Sequence, residues 1–327
     1  MKYRPLGKTG INVSEIGFGT WGLGGNAYGP IDDRVSIQAL QTAFDHGVTF
    51  FDTSDLYGDG RSEEVLGQAL HDVRESVVIC TKVGLLPHTG FSMPSDFSPP
   101  YIRKKIQDSL RRLKTDYVDL YLLHSPTMDI LAKHPETLEV MAELQKAGLI
   151  RSYGVSVRSP DEGVTAIQQF EIAAIEVNFN LIDQRAIENG LFDLAQKVQA
   201  GIIVRTPLCF GYLTGHLRGD EQFEGIDHRT NWPTSQLQRW AKAPEYFSSL
   251  AESRKSTISQ VALRFCLDQE SISTLIPGMM NPDQVLENVL SSQLESLTPE
   301  EKTQIQNIYQ TNTFYDKNAK QESLATS

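Results

Sequence analysis

The sequence predicts an α/β fold: a (β/α)8 TIM barrel with an N-terminal hairpin and long loops at its C-terminal face. Three observations predict it. Eight short β-rich runs recur along the 327 residues, at Glu15–Thr20, Thr49–Asp52, Val77–Lys82, Val118–His124, Ser152–Val155, Ile175–Asn178, Ile202–Arg205 and Thr274–Pro277. Helix-period segments lie between them, and that alternation implies a parallel sheet. The one G-x-G-x-x-G match, Gly17-Phe18-Gly19-Thr20-Trp21-Gly22, opens no helix, which disfavours the open doubly wound sheet. A count of eight favours closure into a barrel.

Each element has a local reason. Lys8-Thr9-Gly10 reads as a turn, which places a hairpin in the first residues, outside the barrel. Ile37, Leu40 and Phe44 share a helix face after Asp32 and Asp33, and Gly47 stops the run. Ile102, Ile106, Leu110 and Leu113 mark a second helix, and Leu138, Met141, Leu144 and Leu149 a third. Asn281 and Pro282 read as N-cap and first residue of a helix lined by Val285 and Val289. Two stretches exceed ordinary loop length, Leu85–Pro100 and Phe210–Tyr246, the second with Trp232 and Trp240; both are expected to be lids or binding loops. One barrel domain is expected over residues 1–315, with 316–327 a mobile tail.

Composition narrows the function. A formal net charge of −11 argues against non-specific nucleic-acid binding and against anionic membranes. Cys80, Cys209 and Cys266 are far apart in apolar contexts, which reads as reduced, buried thiols in a cytoplasmic protein. The first residues lack the apolar core of a signal peptide, and no apolar run has membrane-spanning length. The 7 histidines are scattered without metal-ligand spacing, so no metal is expected.

In such barrels catalytic groups sit at the C-terminal ends of strands. Those ends carry Asp52, with Tyr57 in the following loop, then Lys82, His124, Ser156, Glu176 with Asn178, and Arg205. Each has a bland reading: Asp52 as a turn cap, Tyr57 as a packed aromatic, Lys82 as a salt bridge, His124 as a core histidine. Their occurrence at three consecutive strand ends points to acid–base chemistry instead. A lysine ammonium near a phenol favours the phenolate and so strengthens the acid. A carboxylate keeps that ammonium charged, and a histidine would hold a carbonyl oxygen. Together they would polarise a C=O and deliver a proton as hydride reaches carbon.

At this point the sequence resembles the aldo-keto reductase family, from "LGKTGINVSEIGFGTWGLGG" to "IPGMMNPDQVLENV". Its most specific signals are "FFDTSDLYGDGRSEEVLGQAL", "CTKVG", "YVDLYLLHSP", "GLIRSYGVS" and "TPLCFGYLTG". The resemblance implies a barrel that binds NADP or NAD without a Rossmann fold. It implies a catalytic tetrad of Asp52, Tyr57, Lys82 and His124, with Tyr57 as proton donor. Cofactor contacts carry over to Thr20, Trp21, Asp52, Ser156, Glu176, Arg205, Thr206, Pro207, Leu208, Gly211, Leu213, Gly215, Gly278, Met280, Gln284 and Asn288. Arg205 would lie under the nicotinamide ring. Pocket walls are expected at Trp21, Leu56, Tyr57, Phe91, His124, Phe210, Tyr212 and Trp232.

The chain departs from the family pattern in places. Val157 stands where an asparagine is usual and Glu176 where a glutamine is usual, so the grip on the carboxamide is altered. An ionised Glu176 would favour the oxidised cofactor, or would simply pair with Arg205. NADP is the commoner family habit, yet "GMMNPDQ" at 278–284 has no basic residue and His216 replaces a common lysine. Arg218 or Arg229 would have to supply a partner for a 2′-phosphate. The leading function is an NAD(P)-dependent oxidoreductase that interconverts a small-molecule carbonyl, possible sugars included, and an alcohol. The alternatives are a cofactor-binding regulatory subunit related to potassium-channel β subunits, and a lyase using Lys82 as Schiff-base nucleophile. Oligomeric state is left open.

Overall fold

The computed structural model describes residues 1–316, except 89, 91 and 224. The expected tail therefore falls, apart from Asp316, outside the described residues.

Two short strands, β1 (Tyr3–Pro5) and β2 (Asn12–Ser14), pair antiparallel with Arg4 opposite Val13. Eight parallel strands follow in chain order: β3 (Phe18–Gly19), β4 (Phe50–Asp52), β5 (Val78–Val83), β6 (Val118–His124), β7 (Ile150–Ser156), β8 (Ala174–Asn178), β9 (Gly201–Arg205) and β10 (Ile272–Leu275). Each pairs with the next in sequence, and parallel bridges Ile16–Leu275 and Gly19–Gly278 close the ring between β10 and β3. All eight predicted strands are present, and helices fill the intervals. Among the described residues, no helix is long and apolar enough to cross a membrane.

Side chains alternate across a strand, and this alternation builds the site. The outward set, including Phe51, Ile79, Tyr121, Leu123, Ile175 and Val204, packs against the helices. The inward set, Phe50, Val78, Cys80, Leu120, Leu122, Ala174 and Ile203, forms a second cluster with Leu6, Ile11 and Val13. The hairpin thus plugs one end of the barrel. Gly7 seats it: a Cβ there would fall 2.2 Å from the Gly201 backbone nitrogen, at φ +51°. Two residues further along the same inward faces stand Asp52, Lys82, His124, Glu176 and Arg205. The barrel interior is apolar at the plugged end and ionisable at the other.

The helices follow their patterns. Asp32 caps the helix Asp33–Asp45 by accepting from the Arg34 N–H, and Asn281 caps Pro282–Leu290 by accepting from the Gln284 N–H. The helix Glu136–Lys146 ends before Leu149, whose N–H returns to the Leu144 carbonyl at 3.1 Å. The stretch 210–246 differs from expectation, since it is not one long loop. It contains a helix, Thr234–Lys242, whose Leu237 and Trp240 are buried. Pro233 starts that helix, and the Leu237/Trp240 spacing gives it an apolar face.

Candidate active site

The loop after β4 brings Tyr57 back over the barrel mouth. Gly58 makes this return possible: at φ +62°, a Cβ would fall 2.2 Å from the Gly24 carbonyl oxygen. The Gly58 N–H also donates to Asn26 Oδ1 at 3.1 Å. Tyr57 is therefore pressed between the loops after β3 and β4, half-buried.

Lys82 is fully buried and joins the group together. Its Nζ lies 2.6 Å from both Asp52 carboxylate oxygens, 3.0 Å from the Thr53 carbonyl and 3.2 Å from Tyr57 Oη. Glu176 Oε2 is 3.4 Å from the same nitrogen. Burial disfavours the ammonium, yet Asp52 and Glu176 outweigh it and hold Lys82 well above the usual lysine value. For Asp52, burial is the largest influence and the Glu176 charge adds to it, so its carboxyl lies above the usual aspartate range against the pull of Lys82.

Tyr57 feels opposing influences. Lys82 does act to acidify the phenol, but burial together with the charges of Asp52 and Glu176 raises it above the ordinary tyrosine range. The phenol keeps its proton at neutral pH. His124 stands edge-on to the Tyr57 ring, centroids 6.1 Å apart. Burial, then the charges of Lys82 and Arg205, hold its imidazole well below the usual histidine value, so it is neutral. Its Nδ1 is 3.2 Å from Ser54 Oγ. Asp52, Tyr57, Lys82 and His124 are thus brought together at one mouth.

The surrounding positions fall into two groups. Thr20 is fully buried and ties β3 to β4, donating from Oγ1 to the Asp52 carbonyl at 2.8 Å. Ser156 Oγ donates to Glu176 Oε1 at 2.8 Å, and Val157 packs in the outer core, its carbonyl accepting from Arg205 at 3.1 Å. Arg205 Nε is 3.8 Å from Glu176 Oε1, too long for a hydrogen bond. Thr206 Oγ1 donates to Asn178 Oδ1 at 2.9 Å. Pro207, Leu208 and Leu213 are buried beneath the turn that ends at Gly215, and Thr206, Cys209, Phe210 and Gly211 all have positive φ. Three of those four are not glycine, so this turn is held in a costly conformation, as functional loops often are.

The segment after β10 lies beside the loop after β3. The Gly19 N–H donates to the Pro277 carbonyl at 3.0 Å, and Met280 sits against Gly22. Gln284 Oε1 accepts from the Met280 N–H at 2.7 Å. Asn288 is buried on the inner side of the following helix. Arg229 is committed to Asp227, at 2.6 Å, and stacks over Phe223, which takes it out of the reckoning for a phosphate; Arg218 is exposed.

The chemistry of these donors and acceptors fits a nicotinamide dinucleotide. Glu176 Oε2 and Arg205 Nε are buried without a hydrogen-bond partner among the described residues. A Cβ on Gly278 would meet open space, leaving room for a ligand to approach the backbone. Glu176, Ser156 and Arg205 would hold the nicotinamide end, and the 206–215 turn with 278–288 the remainder.

Of the expected pocket walls, Trp21, Leu56 and Phe210 border the mouth, half-buried. Trp21 lies 6.4 Å from the Tyr57 ring and 6.5 Å from Phe210, and Trp232 is 6.2 Å from Phe210. Phe91 lies outside the described residues. Tyr212 is fully buried against Trp240, so it backs the wall rather than facing the mouth. Sequence reasoning missed three contributors, Ser54, Tyr28 and His228. His228 packs 4.4 Å from Trp21 and 5.0 Å from Tyr28, and its N–H donates to the Ala27 carbonyl at 2.8 Å. The loop after β9 is thereby tied to the loop after β3. Ser54 was findable, two residues after Asp52; His228 sits in an aperiodic stretch with no local signal.

A sequence profile of the Aldo/keto reductase family matches residues 15–310. The chain is 35% identical over 292 residues to "Aldo-keto reductase YhdN" of Bacillus subtilis (strain 168), covering 87% of each chain. It is 31% identical over 303 residues to the "NADH-specific methylglyoxal reductase" of Escherichia coli (strain K12), covering 88% of this chain and 93% of that one. Its fold superposes on the holo form of aldo-keto reductase AKR11C1 from Bacillus halodurans with TM-score 0.77 and 30% identity, over 98% of this chain and 99% of that one.

Proposed function

The chain belongs to the aldo/keto reductase family, and on that premise we propose that it interconverts a small aldehyde or ketone and the corresponding alcohol, with Tyr57 as the proton donor. The observation that carries this reading is Lys82 Nζ, which touches both oxygens of Asp52 and lies 3.2 Å from Tyr57 Oη. A bound nicotinamide supplies or accepts the hydride; the remaining steps belong to the protein.

His124 and Tyr57 would receive the carbonyl oxygen. In the tautomer in which Nδ1 accepts from the Ser54 hydroxyl, the neutral imidazole would carry its proton on Nε2 and donate it to that oxygen. Tyr57 hands over its phenolic proton as negative charge develops there, a contribution of about 10²–10⁴-fold. Lys82 stabilises the phenolate left behind, and Asp52 keeps the ammonium charged and aimed. The same charge argues against a Schiff-base role, since an ammonium is not nucleophilic. Trp21, Phe210 and His228 pack together at the mouth, with His228 4.4 Å from Trp21 and 4.9 Å from Phe210. A purely regulatory cofactor-binding role leaves this buried acid–base arrangement without use.

The 2′-phosphate question follows from the same surfaces. Segment 278–284 offers no basic side chain and Arg229 is paired with Asp227, so weak discrimination between NAD and NADP is expected. The test is a panel of aldehydes and ketones, hydroxylated ones included, assayed with NADH and NADPH. Turnover of at least one carbonyl supports the reading, and turnover of none with either cofactor overturns it.

A further inference from the structure

We infer that Glu176 is a second carboxylate on the catalytic lysine, and that its charge makes the site bind oxidised nicotinamide in preference to reduced. This rests on the oxidoreductase reading above and deepens it.

Glu176 is nearly fully buried, 2% exposed, and stands on β8 facing the barrel interior. Every charged or titratable group around it is accounted for. Lys82 on β5 is 3.4 Å away. Arg205 on β9 forms a long ion pair with Oε1, its Nε 3.8 Å away, while its Nη2 donates to the Val157 carbonyl. Ser156 on β7 donates to Oε1 at 2.8 Å. Asp52 on β4, Tyr57 and Cys80 share the same pocket through Lys82. Oε2 has no hydrogen-bond donor among the described residues, although it is buried. Glu176 thus stands between two cations, Lys82 on Oε2 and Arg205 on Oε1.

Chemistry brings the cofactor ring to this carboxylate. One carbonyl receives a proton at oxygen from Tyr57 and a hydride at the bonded carbon. The hydride donor must lie within a bond or two of contact with the group that Tyr57 serves, and so near the neighbours of Lys82. The oxidised ring carries one positive charge more than the reduced ring. Asp52 and Glu176 together face Lys82 and Arg205, so loss of the Glu176 charge leaves this water-poor site one unit more positive, a change that is weakly screened there. It cannot alter the overall equilibrium of the reaction. It alters the ratio in which the protein holds the two cofactor forms.

Isothermal titration calorimetry on the intact protein tests this, with NAD⁺, NADH, NADP⁺ and NADPH as probes at one pH. In Glu176→Gln, the oxidised-to-reduced ratio of dissociation constants is expected to rise about tenfold, from loss of one nearby charge. Glu176→Asp keeps the charge and should stay within about twofold of the unsubstituted protein. An unchanged ratio in the glutamine variant overturns the inference. So does an equal shift in both variants, which would mark an effect of shape. Failure of the unsubstituted protein to bind any of the four probes would instead overturn the oxidoreductase reading.

Discussion

Lys82 Nζ sits 2.6 Å from both oxygens of Asp52, in a pocket where both side chains are closed to solvent. The lysine has a second carboxylate, Glu176, at 3.4 Å, and no exposed surface. Its place in the barrel is therefore electrostatic before it is catalytic.

Removal of that cation has a pH-dependent cost. In Lys82→Met, Asp52 and Glu176 remain buried without their shared partner. Breaking a buried pair on one side typically costs about 3–5 kcal/mol. At acid pH the orphaned carboxylates take up protons and the cost shrinks. Chemical denaturation at about pH 8 and about pH 5 should show the larger loss at the higher pH; an equal loss at both would contradict the shared-cation account.

Asp55 offers a second pH signature. It is buried beside Glu63, and burial followed by the Glu63 charge pushes its carboxyl up to about 6, against Lys105 at 3.2 Å. The folded value lies above the unfolded one. Its contribution to stability is thus complete below about pH 4 and is lost as pH rises through about 6. Asp55→Asn should flatten that part of the stability curve by about 2–3 kcal/mol. An identical pH dependence in the two proteins would show that Asp55 is not the group responsible.

Cofactor discrimination should be weak. A 2′-phosphate wants charge-assisted partners, and residues 278–284 supply none while Arg229 is held by Asp227. Dissociation constants for NAD⁺ and NADP⁺ are expected within about tenfold of each other. A preference of about a hundredfold for NADP⁺, abolished by Arg218→Ala, would show that the exposed Arg218 closes onto the phosphate.

The sequence carried the barrel because alternation is local: Phe50 to Asp52, Val78 to Lys82 and Leu120 to His124 each announce an inward face that turns polar at its end. It brought Asp52, Lys82 and His124 to one mouth for the same reason, with Tyr57 in the loop that follows β4. It carried the acidifying pull of Lys82 on Tyr57 but not the opposing influence of burial and two carboxylates. Nor did it separate Tyr212 from Phe210, since near-neighbours in a turn of left-handed residues point in unrelated directions. The helix Thr234–Lys242 was legible in Leu237 and Trp240, but the surrounding polar residues masked it. His228 became visible only when the chain folded back onto Ala27.

The central claim, that Tyr57 gives its proton to the substrate oxygen, is tested most directly by Tyr57→Phe. The hydroxyl lies at the mouth and holds no structural element, so cofactor affinity and denaturation midpoint should stay unchanged. Carbonyl reduction should fall by about 10²-fold or more. Robust reduction by the phenylalanine variant would contradict the assignment.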